Sequence, residues 1–239
     1  MSRVISFSLY GSDPAYTINA VINCLLAPRV YPGWTCRFYH DDTVPEGVLR
    51  LLATFEHAEL VAMPGDRGGS GRLWRFLAAA DPGVEAMICR DADSWLSPRE
   101  AACVEEWLAS SRSFHIIRDH CLHSAPIMGG MWGARGGLLG AIGAWIEDFL
   151  HTEDPGQAAA DQRFLAVRIR PYVAGKALIH QGAHLASGPD GILDDAADRT
   201  ERIPLYDDVD EPVPGLSFRE AFALNSDVCY CLLYTSRCV

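Results

Sequence analysis

The sequence predicts an α/β fold, a mostly parallel mixed central sheet flanked by helices, and three observations predict it. Strand-period and helix-period segments alternate from Val4 to Ile117, the pattern of parallel strands joined by crossover helices. The most apolar strand, Val84-Glu85-Ala86-Met87-Ile88-Cys89, runs into the charged cluster Arg90-Asp91-Ala92-Asp93-Ser94, and ligands of open α/β sheets bind at that carboxyl edge. At 239 residues, with 49% hydrophobic and 10% aromatic side chains, the chain is long enough to bury a full core and short enough to be one domain.

Val4 to Leu9 alternates as a half-buried strand and leads into Tyr10-Gly11-Ser12-Asp13-Pro14, where Asp13 caps a helix that has proline at its first position. In that helix Ile18, Val21, Ile22, Leu25 and Leu26 form one apolar face for packing on the sheet, and Pro28 is expected to end it. A strand over Thr35 to His40, a helix from Pro45 with Val48, Leu51, Leu52 and Phe55 on one face, and a strand over Leu60 to Met63 repeat the pattern. A glycine-rich loop from Gly65 to Gly71 precedes a helix over Leu73 to Ala80 and then the apolar strand. Ser97-Pro98-Arg99-Glu100 is a capping box with proline at the first helical position, opening a helix through Leu108 ahead of a strand over Phe114 to Ile117. The stretch from Ile127 to Gly137 is too glycine-rich for regular structure and reads as a loop, whereas Leu138 to Leu150 and Ala158 to Val167 read as helices. Ser187 to Gly215 is rich in Asp, Pro and Gly and reads as irregular.

The formal net charge is -11 and no run of Lys or Arg occurs that could track a phosphate backbone, so nucleic acid is not expected as a partner. The amino-terminal segment is too short and too alternating for a signal-peptide core, and no apolar run reaches a membrane span; a cytoplasmic protein is expected. The eight cysteines show no CxxC pair or framework spacing and read mostly as small buried hydrophobes. The last nine residues, 231–239, match a translated transposon-end adapter: TGT CTC TTA TAC ACA TCT reads Cys-Leu-Leu-Tyr-Thr-Ser, and its inverted copy AGA TGT GTA TAA reads Arg-Cys-Val-stop. On this reading residues 1–230 form one enzyme domain truncated at its carboxyl end, and Cys231 and Cys238 carry no meaning.

Two aspartates at i and i+2 beyond a buried strand can turn both carboxylates toward one hard cation that bridges phosphate oxygens. The same dipeptide spacing also suits a solvated turn in which Asp91 and Asp93 bond backbone amides. Trp74-Arg75-Phe76-Leu77 followed by Ile88-Cys89-Arg90-Asp91-Ala92-Asp93-Ser94 resembles the sugar-binding region of the DxD-containing GT-A glycosyltransferases. The resemblance extends to Phe7-Ser8-Leu9-Tyr10-Gly11, to Arg37-Phe38-Tyr39-His40-Asp41-Asp42 and to Pro126-Ile127-Met128-Gly129-Gly130-Met131-Trp132-Gly133, and covers roughly residues 4 to 185. It implies the Rossmann-like nucleotide-diphospho-sugar transferase fold, with Leu9, Tyr10 and Gly11 near the nucleotide, Arg75 near the donor, and Asp91 and Asp93 on Mn²⁺ or Mg²⁺. Arg75 can equally snorkel or pair with a surface carboxylate.

By the same resemblance His180 completes the metal coordination, with His184 in competition. The sequence departs from the expected His-Asp-Ser there, reading His180-Gln181-Gly182. Asp161-Gln162 resembles a helix start that lies beside the transferred sugar, or is an ordinary helix-initiating acid. Asp119, in a polar segment after a strand, is a candidate base or sugar contact, and Gly129-Gly130 a candidate sugar and acceptor wall; Asp119 pairing with Arg118 accounts for it equally.

The expected activity is therefore transfer of a sugar from a nucleoside diphosphate sugar to a hydroxyl acceptor, with the cation neutralising the departing diphosphate. The resemblance leans toward retention of the anomeric configuration. One competitor is a non-catalytic nucleotide-sugar or glycan-binding module on the same fold. Another is a HAD-type phosphotransferase, but its DxD follows the first strand with Thr or Val four residues on, whereas Asp91 lies mid-chain and Trp95 stands there.

Overall fold

The computed structural model describes residues 1–65, 69–118, 125–154, 156 and 158–181. Asp119, His184, the segment 187–215 and residues 231–239 lie outside these.

Seven strands form one sheet: β1 (Ser2–Leu9), β2 (Trp34–His40), β3 (Ala58–Ala62), β4 (Val84–Cys89), β5 (Phe114–Arg118), β6 (Trp132–Arg135) and β7 (Ala177–Gln181). Their order is β3-β2-β1-β4-β6-β5-β7. The pairs β1/β2, β1/β4, β2/β3 and β5/β7 are parallel, and β6 runs antiparallel to both β4 and β5. This is the mostly parallel mixed sheet that the sequence predicts. The helices are α1 (Pro14–Val30), α2 (Glu46–Leu52), a 3₁₀ helix (Ser70–Ala80), α3 (Pro98–Ala109), α4 (Ile142–Thr152), α5 (Ala160–Phe164) and α6 (Arg170–Val173), with a π-helical segment, Leu165–Ile169, between the last two.

Each face of the sheet carries its own apolar core. On one, Val4, Met87 and Cys89 meet Leu73 and Phe76 of the 3₁₀ helix, Ile142, Ile146 and Phe149 of α4, and Phe164. On the other, Ile5, Phe7, Leu9 and Ile88 meet Ile22, Leu26 and Ala27 of α1, Leu52 of α2, and Val104 and Trp107 of α3. β1 is therefore covered on both faces, as an interior strand of a parallel sheet should be.

Three expectations are corrected. The segment 127–137 is not all loop, because Trp132–Arg135 forms β6. Its glycines are what admit the strand: a Cβ at Gly133 would stand 2.7 Å from the Met87 carbonyl oxygen, and one at Gly136 would stand 1.6 Å from that of Val84. Pro28 does not end α1, which continues to Val30. A proline inside a helix leaves the carbonyl four residues back without its N–H; here that carbonyl, Cys24, accepts a hydrogen bond from His57 Nε2 at 2.7 Å. Finally, α1 buries only part of the apolar stripe read from its sequence: Ile22 and Leu26 enter the core and Val21 packs against it. Ile18 and Leu25 are 38% and 48% exposed, whereas Asn19 and Asn23 are fully buried.

The caps follow the sequence closely. Asp13 Oδ1 accepts from the Ala15 amide at 2.9 Å, and Ser97 Oγ from the Glu100 amide at 3.3 Å. The Glu100 carboxylate does not return to close the box; it is taken by Arg90 Nε at 2.7 Å.

Candidate functional site

Arg75 stands at the centre of the carboxyl edge of the sheet. Its backbone is fixed by two serines of β1: Ser6 Oγ donates to the Arg75 carbonyl at 2.6 Å, and the Arg75 amide donates to Ser8 Oγ at 3.0 Å. Ser6 is fully buried, so the polar alternation of β1 does not face solvent but the 3₁₀ helix. The Arg75 guanidinium donates to the Asp91 carboxylate and, 3.2 Å away, to the Arg90 carbonyl, while Nη2 donates to Asp161 Oδ2 at 3.0 Å. Burial works against its charge, yet Asp91 and Asp161 hold Arg75 protonated above its ordinary range. Arg75 is itself buried, with its side chain only 7% exposed, and it pairs with one half-exposed carboxylate, Asp91, and one largely buried one, Asp161.

Gly129 and Gly130 lie against these carboxylates with no room for a side chain. A Cβ on Gly129 would sit 2.2 Å from Asp161 Oδ2 and 2.6 Å from Arg75 Nη2, and one on Gly130 would sit 2.0 Å from Asp91 Oδ2. Arg90, 2% exposed, anchors the same region. It donates to the Cys89 carbonyl at 2.7 Å and the Gly130 carbonyl at 3.3 Å, and reaches the Tyr31 hydroxyl at 3.3 Å.

Asp93 follows Asp91 in a turn closed by the Ser94 amide on the Asp91 carbonyl at 3.2 Å. Burial, then the neighbouring Asp91 carboxylate, raise its pKa to about 6. Nearby, Tyr16 in the first turn of α1 has its phenol pushed up to about 12, chiefly by Asp93 and then by burial. Sequence reasoning missed Tyr16, Ser6 and Ser8, because each looks like an ordinary member of its helix or strand.

Tyr10 and Gly11 close the edge beside β1. The Tyr10 ring meets Trp74 edge-on at 6.0 Å, and Gly71 must lack a side chain because a Cβ would stand 2.6 Å from that ring. Gly11, with φ of +73°, donates its amide to Thr43 Oγ1 at 2.6 Å, and Thr43 is held in turn by the Asp41 carboxylate. Leu9 lies within the core on the α1 side of β1.

The structure thus brings together Arg75, Asp91, Asp161, Gly129 and Gly130, with Asp93 two residues on. It does not bring His180 to them. Its parity in β7 points His180 to the face of Leu178, where Nε2 meets Glu106 Oε2 of α3 at 3.2 Å and Nδ1 meets His115 Nε2 at 2.9 Å. With Nε2–H donating to the carboxylate, Nδ1 accepts from His115, and both ring nitrogens of His180 are engaged. Among the described residues no group of three or more His, Cys, Asp or Glu is disposed to hold a metal ion.

Both histidines are fully buried. Burial lowers the pKa of His115 strongly, with His180 and Arg90 adding to it, and lowers that of His180 against the opposing pull of Glu106. The folded state keeps them neutral while the unfolded state protonates them below a pKa of about 6.5, so their contribution is complete above that pH and lost below it. Asp93 titrates in the opposite sense, so the Asp93→Asn background isolates the effect. There, unfolding free energy from urea titrations should fall as pH drops below 6.5, approaching about 1.4 kcal/mol per pH unit from His115 with a smaller share from His180; a flat profile contradicts this assignment.

Asp161 is presented by a strained turn. Ala159, immediately before α5, has φ 57° and ψ 28°, a conformation that costs an alanine roughly 1 kcal/mol. Ala159→Gly should therefore stabilise the protein by about 0.5 kcal/mol once the extra freedom of the unfolded chain is subtracted, read as a higher urea midpoint.

The chain is a mixed α/β protein with a mostly parallel seven-stranded sheet, and Arg75, Asp91 and Asp161 gather at the carboxyl edge of β4. No family model matches the chain, and no curated protein does. Solved structures match in shape. A glycosyltransferase involved in the glycosylation of the major capsid of PBCV-1 superimposes with a TM-score of 0.50 at 15% identity, over 76% of this chain and 82% of that one. The 4-diphosphocytidyl-2C-methyl-D-erythritol synthase of Anaerococcus prevotii gives 0.46 at 11% identity over 74% and 85% of the two chains. The glucosyl-3-phosphoglycerate synthase of Mycobacterium tuberculosis gives 0.42 at 16% identity over 66% and 69%. At such identities it is the fold that is shared, and the first of these carries that statement. No helix among the described residues is long and apolar enough to cross a membrane.

Proposed function

We propose that this chain is a glycosyltransferase that moves a sugar from a nucleoside diphosphate sugar to a hydroxyl acceptor, with Mn²⁺ or Mg²⁺ held by Asp91 and Asp93. The observation that carries the proposal is the buried Arg75 bridging Asp91, at the end of β4, to Asp161, on α5. One guanidinium thereby couples a candidate metal carboxylate to a candidate sugar contact.

The donor set suits such a cation. Mg²⁺ and its relatives are commonly bound through one or two carboxylates, with waters and substrate phosphates filling the remaining positions. Asp91 and Asp93 supply that pair; burial, and then the Asp91 carboxylate, raise the pKa of Asp93, and a divalent ion would relieve the second of these. When bound, the cation neutralises charge on the departing diphosphate. Around it, Arg75 holds Asp91 and Asp161 in place, Gly129-Gly130 keeps the wall flat against both, and Tyr10, with Gly11, offers the nucleotide a ring and a tight turn. In this reading Asp161 contacts sugar hydroxyls.

The test is Mn²⁺-dependent hydrolysis of a panel of nucleotide sugars by the purified protein and by a variant carrying Asp91→Asn with Asp93→Asn. Turnover that the double variant loses establishes the reading and names the donor. Mn²⁺-dependent nucleotide binding without turnover favours a non-catalytic binding module, and the absence of both defeats the proposal.

A further inference from the structure

α1 buries two asparagines one turn apart, which an ordinary sheet-packing helix has no reason to do. Asparagine is a poor residue for a helix interior, and a buried amide costs free energy unless its donors and acceptor are all engaged. Here they are engaged, and almost every partner belongs to one short stretch of chain. Asn23 Nδ2 donates to the Ala92 carbonyl at 3.3 Å and to the Ser94 carbonyl at 3.0 Å, while Asn23 Oδ1 accepts from the Leu96 amide at 3.0 Å. Asn19 Oδ1 accepts from the Trp95 indole N–H at 2.8 Å, and its Nδ2 donates back to the Ala15 carbonyl at 2.7 Å.

The geometry points to Asn23, backed by Asn19, as a positioning residue that sets Asp93 for cation binding; this rests on the proposed function of the Asp91 and Asp93 pair. Ala92 and Ser94 are the two residues flanking Asp93, so a single side chain grips the carbonyls on both sides of it. Asp93 is half-buried beside Asp91, and two like charges at that spacing push the turn open unless something holds it. The clamp supplies that hold from a helix that is itself anchored by the Asp13 cap. Only asparagine suits the position: aspartate lacks the donors for two carbonyls, leucine lacks both functions, and glutamine is one methylene too long for a site already packed.

The experiment measures Mn²⁺ dissociation constants by electron paramagnetic resonance for the wild type, Asn23→Ala, Trp95→Phe and Asp93→Asn. Thermal midpoints are recorded alongside, together with the Mn²⁺ activation constant of donor hydrolysis. Supporting groups of this kind typically change metal affinity by about tenfold or more. Asn23→Ala is therefore expected to raise both the dissociation constant and the activation constant by about tenfold while the rate at saturating Mn²⁺ holds, a split that a general loss of stability does not produce. Trp95→Phe keeps the ring and removes only the indole N–H, so it carries the test, with a smaller rise in both constants, if Asn23→Ala does not fold. Unchanged constants in the folded variants overturn the inference alone. A wild type that binds no Mn²⁺, or an Asp93→Asn variant that binds it equally well, brings down the metal reading and this inference with it.

Discussion

Changing Asp91 to asparagine is expected to lower metal-dependent cleavage of the nucleotide sugar by about a thousandfold, the scale on which a preorganised electrostatic partner of a developing charge acts. The substitution removes the charge of a proposed metal carboxylate while leaving the shape of the side chain nearly intact, so the loss reports charge and not packing. It also has a structural consequence. Arg75 cannot shed its proton, its side chain is 7% exposed, and it then keeps only Asp161, at 3.0 Å, as a carboxylate partner. Because Asp91 itself is 44% exposed, water makes up part of the difference, and the expected loss of unfolding free energy is about 1–2 kcal/mol. Urea unfolding and initial rates on the same preparation separate the two effects. A variant that is destabilised yet keeps its rate would show Asp91 to be a partner of Arg75 and nothing more.

The second large effect is expected at Gly130, where alanine should lower the same rate by about a hundredfold, the usual cost of moving a reacting group by an ångström. Its methyl would stand 2.0 Å from Asp91 Oδ2 and 3.0 Å from the Asp91 amide nitrogen, so the carboxylate must swing away from its place beside Arg75. Gly129→Ala should act in parallel through Asp161, whose Oδ2 lies 2.2 Å from the built Cβ. Gly47→Ala, a position with nothing within 4 Å on the distant helix α2, is the control and should leave the rate alone. If Gly130→Ala retains full rate, Asp91 does not act from the position it occupies here.

Much of the architecture was legible because it depends on local rules. Asp13 before Pro14 and Ser97 before Pro98 marked helix starts that the structure forms. The apolar run from Val84 to Cys89 became the strand β4 that lies between β1 and β6. Asp91 and Asp93 could be placed at its carboxyl end without any coordinates. Where reading failed, a local rule was overruled by a distant partner. Glycines that argue against regular structure became the means by which β6 lies against β4, and Pro28 was tolerated because His57 from another loop takes the freed Cys24 carbonyl. The outward-facing Ile18 and Leu25 and the buried Asn19 and Asn23 shift the buried face of α1 away from the predicted stripe, of which Ile22 and Leu26 still enter the core, since that helix serves the 92–96 turn as well as the sheet.

By itself, then, the sequence determined the fold class, the order of most strands and helices, and the edge at which a charged pair would stand. Those features follow from hydrophobic period and capping chemistry, which act over a few residues. Only the tertiary structure decided which charges meet. It set Arg75 between Asp91 and Asp161, residues 16 and 86 positions away along the chain, and turned His180 toward His115 and Glu106 instead of the aspartates. Such pairings depend on which strand lies beside which and on the parity of each side chain across the sheet, and the spacing of residues along a chain does not encode either one.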